Sequence, residues 1–391
     1  LELAYVMPDR RTVYLTDDGT NVALFMFVAD RPGDLSAGPL YAAHWIQREG
    51  RQLPRPDRSP RQGESPDSAP DPHGRDGGAG ALRWVSLGHT NADEIRREIR
   101  KGIEFADIFD VEEPDGGSCP RGFRSINSGH GTPFHECLRL REGMAKAASR
   151  LESRRYAAYQ GATTEWRKME GLTHDRAGGR LFLAMSEVSR GMEDHLDRGR
   201  PSSSFDRGGP NHIRLPYNLC GAVYALQLAG GVEDTTGTPI DSPYVAVDMV
   251  SALAGRMTRA WDKNSDLPVY PSDGPFAANK CDLDGIANPD NLTFIPGPGI
   301  LIIGEDTSEG HQNDALWAYD PDRGSLTRIL TTPYGSEVTS PYFYPDIGGF
   351  GYLISVVQHP FGESDQDKLD PGSGEDRAYT GYLGPFPAMN R

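Results

Sequence analysis

Short apolar runs that end on acidic residues recur along this chain of 391 residues. In the clearest case, the run at 300–303 follows a Pro-Gly turn and ends on Glu305 and Asp306. Runs bounded by Pro, Gly, Asn and Asp are typical of β-strands joined by turns. Residues 288–322 are therefore predicted to form a strand, a turn and two further strands. Carboxylate oxygens at the ends of these strands suit a metal ion that prefers oxygen ligands, such as calcium.

The same pattern occurs four times. Each copy opens on an acidic residue and leads through a turn to an apolar strand, and the copies begin at Glu2, Glu170, Asp290 and Glu337. Asp17 follows Glu2 by 15 positions, and Glu305 follows Asp290 by the same number. Repeated strand units indicate a β-propeller or a related closed array. The alternative is four β-hairpins that look alike because turns use few residue types. The acidic residue at the same end of each copy favours the repeat.

Composition supports an all-β protein. The chain contains 46 Gly and 31 Pro, about a fifth of its residues, which indicates many turns and few long helices. We predict one β-propeller domain over residues 1–391, since propellers reach this length as one domain. The net charge of −16 argues against nucleic acid as a partner. The charge fits carboxylates that bind cations, or simply a solvated acidic surface.

Two insertions interrupt the predicted strands. Residues 49–80 are rich in Pro, Gly, Ser, Asp and Arg and predict a disordered surface loop. Residues 91–160 predict a helical insertion, whose first helix is capped near Asn91. A second helix is expected with Thr132 as its N-cap and Pro133 at its first position.

Other segments carry weaker patterns. Residues 220–226 predict an outer strand, 245–261 predict a helix, and the polar tail 361–391 predicts a cover over a surface. His130 and His135 lie in a Gly-rich stretch, and two histidines there are suited to bind a metal. We interpret this stretch as a surface loop without a metal.

The four cysteines show no CxxC spacing that would indicate zinc. Cys119 and Cys137 flank a Gly/Ser-rich loop and can pair in an exported protein, but free buried thiols explain them equally well. Cys220 and Cys281 are the other two. No apolar run is long enough to span a membrane, so membrane insertion is not expected. The chain begins inside a predicted repeat without a signal peptide, so an upstream segment is expected.

Acidic residues at strand ends are the candidate metal ligands. Asp290, Glu305 and Asp306 form the strongest group, because adjacent acids repel each other unless a cation or a basic partner neutralises them. Glu337 stands in an apolar strand, where a lone carboxylate needs a metal or an arginine. Glu170 fits either a metal ligand or half of an ion pair with the basic residues before it.

The chain lacks a Gly-x-Ser-x-Gly nucleophile motif, a phosphate-binding P-loop and a dinucleotide fingerprint. No side chain is therefore predicted as a catalytic nucleophile. Hydrolysis by a water or oxygen bound to a metal is the expected mechanism. His359 is interpreted as a structural histidine.

Several segments in this order resemble the PhoX-type alkaline phosphatases, exported proteins of the domain-of-unknown-function 839 group. They are EGLTHD at 170–175, PDNLTF at 289–294, GED with HQNDALW at 304–317, and YGSEVTSPYFYPD with VVQHP at 334–360. The resemblance covers most of the chain apart from the insertions. It implies a six-bladed β-propeller with a central cluster of iron (Fe³⁺) and calcium (Ca²⁺) ions. It also implies hydrolysis of phosphate monoesters and a secreted or periplasmic protein, exported by the twin-arginine route.

The resemblance also implies roles for individual residues. Glu170 and Glu337 would be iron or calcium ligands, and Glu2 would match the acid that opens a blade. Asp290 and the pair at 305–306 would lie near calcium. The family's iron-binding cysteine belongs to a Thr-Cys-Glu-Glu motif upstream of the point where this chain begins. Family members also have a phosphate-binding arginine close before the blade acid, where this chain has Gly and Ser.

The predicted function is a metal-dependent phosphomonoesterase, expected to act as a monomer on a small-molecule phosphate ester. A calcium-dependent hydrolase of the lactonase type is an alternative, because similar ligands on a similar fold support other reactions. A non-catalytic extracellular propeller with structural calcium is a third hypothesis.

Overall fold

Antiparallel sheets dominate the protein. A sheet of ten strands and a sheet of seven strands contain most of the β structure, and three small sheets complete it. The computed structural model describes residues 1–48, 77–130, 134–263, 265–267, 269–307, 310–362 and 377–389. The strands fall into four units in chain order.

The first unit is an antiparallel meander. Its strands are β1 (Ala4–Val6), β2 (Thr12–Leu15), β3 (Thr20–Val22), β4 (Phe25–Val28), β5 (Ala37–Gln47) and β6 (Ala79–Asn91). Strands β1, β2, β4 and β5 lie side by side, and β6 pairs along the whole of β5. A disordered loop was predicted at 49–80, and its residues 49–76 lie outside the described residues. Strand β6 begins at Ala79 and so takes up the last two positions of the predicted loop.

The insertion at 91–160 contains both helices and strands. Its elements are α1 (Ala92–Arg100), α2 (Phe105–Ile108), β7 (Phe109–Glu112), β8 (Arg124–Asn127), β9 (His135–Leu140), α3 (Ala145–Leu151) and α4 (Ser153–Tyr159). The predicted cap of the first helix is confirmed, because Asn91 and Glu94 exchange hydrogen bonds in a capping box. Helices α3 and α4 bury alanines and Tyr156 against strands of the first unit.

The predicted second helix is wrong at its start. Residues 131–133 lie outside the described residues, but the chain that follows is strand β9, and the next helix begins at Ala145. Strand β9 lies between β7 and β8, and this pairing overrides the local helix signal. The surface-loop interpretation is also wrong for His135, which is the buried first residue of β9.

The second unit follows the insertion. Its strands are β10 (Trp166–Arg167), β11 (Met169–Asp175), β12 (Arg180–Met185), β13 (Leu196–Asp197), β14 (Arg200–Pro201), β15 (Ala222–Ala229), β16 (Val245–Ala246) and β17 (Asp248–Ala254). Strands β11, β12, β15 and β17 form a second meander, and β17 pairs with β6 to join the first two units. The strand predicted near 220–226 is confirmed as β15, but its predicted outer position is wrong, because β15 pairs with β12 on one side and with β17 on the other. The helix predicted at 245–261 is wrong, since β17 alternates buried and half-buried side chains with the period of a strand.

The third and fourth units form the seven-stranded sheet. Their strands are β18 (Pro289–Ile295), β19 (Ile300–Glu305), β20 (Asn313–Asp320), β21 (Ser325–Tyr334), β22 (Glu337–Ile347), β23 (Phe350–Gln358) and β24 (Tyr379–Pro387). The strands predicted within 288–322 are confirmed as β18, β19 and β20. The tail was predicted to cover a surface, but its described part instead forms β24, a largely exposed edge strand that pairs with β23. Residues 363–376 and 390–391 lie outside the described residues.

The prediction of an all-β, propeller-type fold is confirmed. The described residues form one five-stranded meander, two four-stranded meanders and a fourth unit of three strands, and the four predicted repeats begin at or beside the first strand of each. The second and third units pack face to face through an apolar layer that includes Phe182, Leu253, Leu301 and Trp317. The blade number of six, implied by the resemblance, stays a prediction. No helix in the described part of the chain is long and apolar enough to cross a membrane.

All four cysteines are paired. Cys119 bonds to Cys137 across 18 positions and Cys220 bonds to Cys281 across 61 positions. Loops of these lengths imply stabilisation of about 3 and about 4 kcal/mol through the unfolded state. The first pairing was one of two readings left open by the sequence, and the second was not predicted.

Candidate metal centre

Acidic side chains from three units meet around one lysine. The Nζ atom of Lys168 lies 2.5 Å from Glu170 Oε1, 3.3 Å from Asp18 Oδ1 and 3.7 Å from Asp306 Oδ2. Asp18 follows β2, Glu170 is in β11, and Asp306 follows β19. Asp290, near the start of β18, is close enough to Glu170 and Asp306 for their charges to affect its ionisation. Strand starts and strand ends of different units therefore converge here.

A glycine permits this convergence. Gly171 follows Glu170 in β11, and a Cβ at this position would lie 2.1 Å from the carbonyl oxygen of Asp290. The backbone of β18 therefore passes β11 at a distance that only glycine allows. Asn291 then connects to the fourth unit, because its Oδ1 accepts a 2.8 Å hydrogen bond from the backbone N–H of Ser340.

Glu170 is buried and held at both oxygens. Lys168 pairs with Oε1, and the hydroxyl of Ser186 donates a short hydrogen bond to Oε2. Burial raises the pKa of Glu170 to about 8, although Lys168 opposes this shift. Burial disfavours the charge of Lys168, but the surrounding carboxylates outweigh it and raise the pKa of Lys168. The ion-pair interpretation of Glu170 is therefore confirmed with Lys168, whereas Arg167 pairs with Glu187 at 2.5 Å.

The pKa of Asp290 is raised further than that of Glu170. Burial raises its pKa to about 9, and repulsion from Glu170, Asp306 and Glu337 adds to the shift. The side-chain amide of Asn291 donates a 2.7 Å hydrogen bond to Oδ1. A cation among these carboxylates would favour their charged forms and lower the pKa of Asp290.

Glu337 approaches the group from the fourth unit. It opens β22, and its Oε1 accepts a 2.9 Å hydrogen bond from the side-chain amide of Gln358. The Nε2 atom of His359 lies 4.0 Å from Oε2. The structure thus brings together Glu170, Asp290, Asp306 and Glu337 from the predicted ligands.

Glu305 has a structural role in place of the metal-ligand role that was predicted. Oε1 accepts hydrogen bonds from the backbone N–H of Ala287 at 2.8 Å and from Trp317 Nε1 at 2.7 Å. Oε2 accepts one from the backbone N–H of Ala315 at 2.8 Å and lies 3.0 Å from His311 Nδ1. These four partners satisfy a fully buried carboxylate without a metal.

Glu2 is exposed before β1. Within the described ranges, the hydrogen bonds and ion pairs that organise the acidic group do not include its carboxylate. The acid of the first unit that does take part is Asp18, which follows Asp17 at the end of the first repeat copy. Asp18 and Asp306 are the second acids of the equivalent pairs 17–18 and 305–306. The repeat was therefore a signal that could have predicted Asp18 as a site residue.

The donor set fits a metal that prefers oxygen. The acidic group offers five carboxylates, and Ca²⁺ binds such ligands from side chains that are not rigidly preset. None of the four cysteines of this sequence offers a thiolate to the acidic group, because all four are in disulfides. In the described part of the chain, three ligating atoms of His, Cys, Asp or Glu lie within 4.8 Å of one another at Cys119, His135 and Cys137. The carboxylates are therefore more widely spaced, with the ammonium of Lys168 between them.

Comparison with known proteins adds a fold relationship. No family model matches the sequence, and no curated protein matches it. Among solved structures, the chain is similar to Pseudomonas fluorescens PhoX in complex with vanadate, a transition state analogue, with a TM-score of 0.51 and 18% sequence identity. The match covers 96% of this chain and 51% of that chain, so this chain spans about half the length of the PhoX chain. The resemblance to PhoX predicted from sequence segments is confirmed at the level of the fold.

Proposed function

We propose that this protein is a metal-dependent hydrolase that cleaves phosphate monoesters, with Glu170, Asp290, Asp306 and Glu337 as the carboxylates that hold the metal. The observation that supports the proposal is the convergence of two buried acids, Glu170 and Asp290, with half-buried acids of other units beside one cation, Lys168. The fold similarity to PhoX supports phosphate-ester chemistry over other hydrolyses of the same fold class.

The buried carboxylates would bind the metal in their charged form. Because burial raises the pKa values of Glu170 and Asp290, metal binding would release protons from this site. A bound cation supplies an activated water and polarises phosphoryl oxygens. Ser186 orients Glu170 through Oε2, so this carboxylate keeps its direction when its other oxygen leaves Lys168.

Lys168 has a second proposed role. Its ammonium occupies the centre of the acidic group, and a divalent cation there would displace it from Glu170. The displaced ammonium remains beside the site as a donor for a phosphoryl oxygen. Lys168 would thus provide the positive charge that family members obtain from an arginine near the blade acid.

We infer that calcium is the principal metal, because all four proposed ligand side chains are carboxylates. Iron, the second metal implied by the resemblance, would have to use the same oxygens. We further propose a secreted or periplasmic monomer, and the two disulfides support an oxidising compartment.

Elemental analysis and a phosphatase assay test the proposal together. The purified protein should contain calcium and should hydrolyse p-nitrophenyl phosphate, and a calcium chelator should abolish turnover until calcium is restored. Asp290→Asn should lose both metal and activity, whereas Glu98→Gln, a substitution of a surface acid on α1, should lose neither. Calcium with turnover of a lactone alone would favour the lactonase alternative. Calcium without any turnover would favour a structural role, and absence of bound metal would refute the proposal.

A further inference from the structure

A second group of metal-binding side chains lies in the insertion. Cys119, His135 and Cys137 place three ligating atoms within 4.8 Å of one another. The two sulfurs form a disulfide, and Nε2 of His135 lies 3.8 Å from Sγ of Cys119. An imidazole nitrogen thus lies beside the disulfide.

Strand geometry places two of the three residues. His135 and Cys137 are two positions apart on β9, so their side chains point to the same face. Strand β9 is the central strand of its sheet, and Cys137 lies between Glu112 of β7 and Ser125 of β8. Cys119 comes from the loop between β7 and β8. Two ligands are thus on a rigid element and the third is on a loop.

The imidazole is held in place by its surroundings. His135 is buried, and the hydroxyl of Ser125 lies 2.8 Å from Nε2. Gly208 covers the ring, since a Cβ at this position would lie 2.3 Å from Cδ2 of His135. Gly208 also has a φ of +78°, which favours glycine. The ring is therefore fixed with Nε2 beside both Ser125 Oγ and Cys119 Sγ, and a metal ion on Nε2 would replace the hydrogen bond with Ser125.

We propose that reduction of the Cys119–Cys137 disulfide creates a Zn²⁺ site whose ligands are the two sulfurs and Nε2 of His135. A dithiol reductant supplies two electrons and two protons, breaks the S–S bond and becomes a disulfide itself. Zn²⁺ then binds both sulfurs as thiolates and releases the two protons. This proposal is independent of the acidic site and of the proposed hydrolase activity.

The distances fit a tetrahedral zinc site. Bonds of about 2.3 Å to sulfur and about 2.0 Å to nitrogen place sulfur and nitrogen about 3.6 Å apart and the two sulfurs about 3.8 Å apart. The observed 3.8 Å between Cys119 Sγ and His135 Nε2 is already close to the first value. Adjustment of the loop that carries Cys119 would let the reduced sulfurs reach the spacing of zinc ligands.

Three protein ligands leave the fourth zinc position open. A cleft of about 490 Å³ lies beside the site and is lined by Arg124, Ser125, Tyr159 and Gly208, among others. Ser125 contacts both the cleft and His135. Water from the cleft would complete the coordination.

Cobalt titration of the full chain tests the proposal. The protein is reduced with a dithiol under anaerobic conditions, desalted, and titrated with Co²⁺ and then with Zn²⁺. We expect one equivalent of tetrahedral cobalt with a thiolate charge-transfer band, which Zn²⁺ removes. The oxidised protein should lack the band, since carboxylate-bound cobalt in the acidic group does not produce it.

Variants assign the ligands. Cys119→Ser should abolish the band and His135→Ala should weaken zinc binding at least tenfold, whereas the double variant Cys220→Ser/Cys281→Ser should keep both. If His135→Ala fails to fold, zinc-edge X-ray absorption of the reduced wild type decides, with two sulfurs and at least one nitrogen as the expected ligands. A reduced protein without the band, an unchanged zinc affinity in folded His135→Ala, or coordination without sulfur would overturn the proposal.

Discussion

Gly171→Ala should damage the acidic site without touching an acidic residue. The new Cβ would lie 2.1 Å from the carbonyl oxygen of Asp290, whereas real Cβ contacts essentially never fall under 3.0 Å. Strands β11 and β18 must therefore move apart by about 1 Å, which costs about 1–3 kcal/mol as overpacking does in a well-packed core. Glu170 moves with β11, so its separation from Asp290 grows by a similar amount. A misplacement of about 1 Å can lower a rate by about 100-fold.

Chemical denaturation, calcium analysis and p-nitrophenyl phosphate turnover measure these effects on one preparation. Gly381→Ala in β24 is the matched control, because a Cβ there meets nothing within 4 Å and the backbone requires no left-handed conformation. It should change the free energy of unfolding by less than about 0.5 kcal/mol. If Gly171→Ala matched the wild type in stability and in metal content, the close approach of the strands would not be what assembles the site.

Three further predictions concern other parts of the molecule. Glu305→Gln should lower the free energy of unfolding by about 2 kcal/mol and leave the calcium content unchanged, since its amide replaces an acceptor that faces buried donors. Glu337→Gln should lower the calcium content and leave the free energy of unfolding unchanged. Equal effects of the two variants would contradict their separate roles. Burial raises the pKa of Asp206 to about 6 in the folded protein, so the unfolded chain releases this proton at a lower pH than the folded protein does. The free energy of unfolding of the wild type should therefore fall as the pH rises from about 4 to about 6. At pH 7, Asp206→Asn should be more stable than the wild type by about 2 kcal/mol. A stability difference that does not vary with pH would refute the assignment to Asp206. Replacing both Cys220 and Cys281 by Ser should cost about 4 kcal/mol in denaturation under oxidising conditions, and an unchanged midpoint would show that the bond does not stabilise the fold.

Local patterns predicted the strands better than they predicted the helices. Turn residues and short apolar runs mark β18, β19 and β20, because both signals lie within a few neighbouring residues. The segment that became β17 reads as a helix when taken alone, yet it pairs with β15 on one side and β6 on the other. Pairing partners far along the chain decided its structure, and a local pattern does not contain them.

The same limit applies to the cysteines and to His135. Cys220 and Cys281 are 61 positions apart, and spacing alone could not indicate that the fold brings them together. His135 was expected in a surface loop because of the glycines around it. Its burial comes from its place in β9 and from Gly208, which lies 73 positions later in the chain.

The acidic site shows how far a sequence repeat can predict three-dimensional proximity. In a propeller-type fold the first strands of successive units lie around a common centre, so residues at equivalent repeat positions become neighbours. The repeat therefore indicated that Glu170, Asp290 and Glu337 would meet, although it contained no contact information. It could not tell which acid of the pair 305–306 faces that centre, because successive residues of a strand point to opposite sides. The structure selects Asp306, and its equivalent Asp18 contacts the same lysine, so the repeat extends to the side-chain direction.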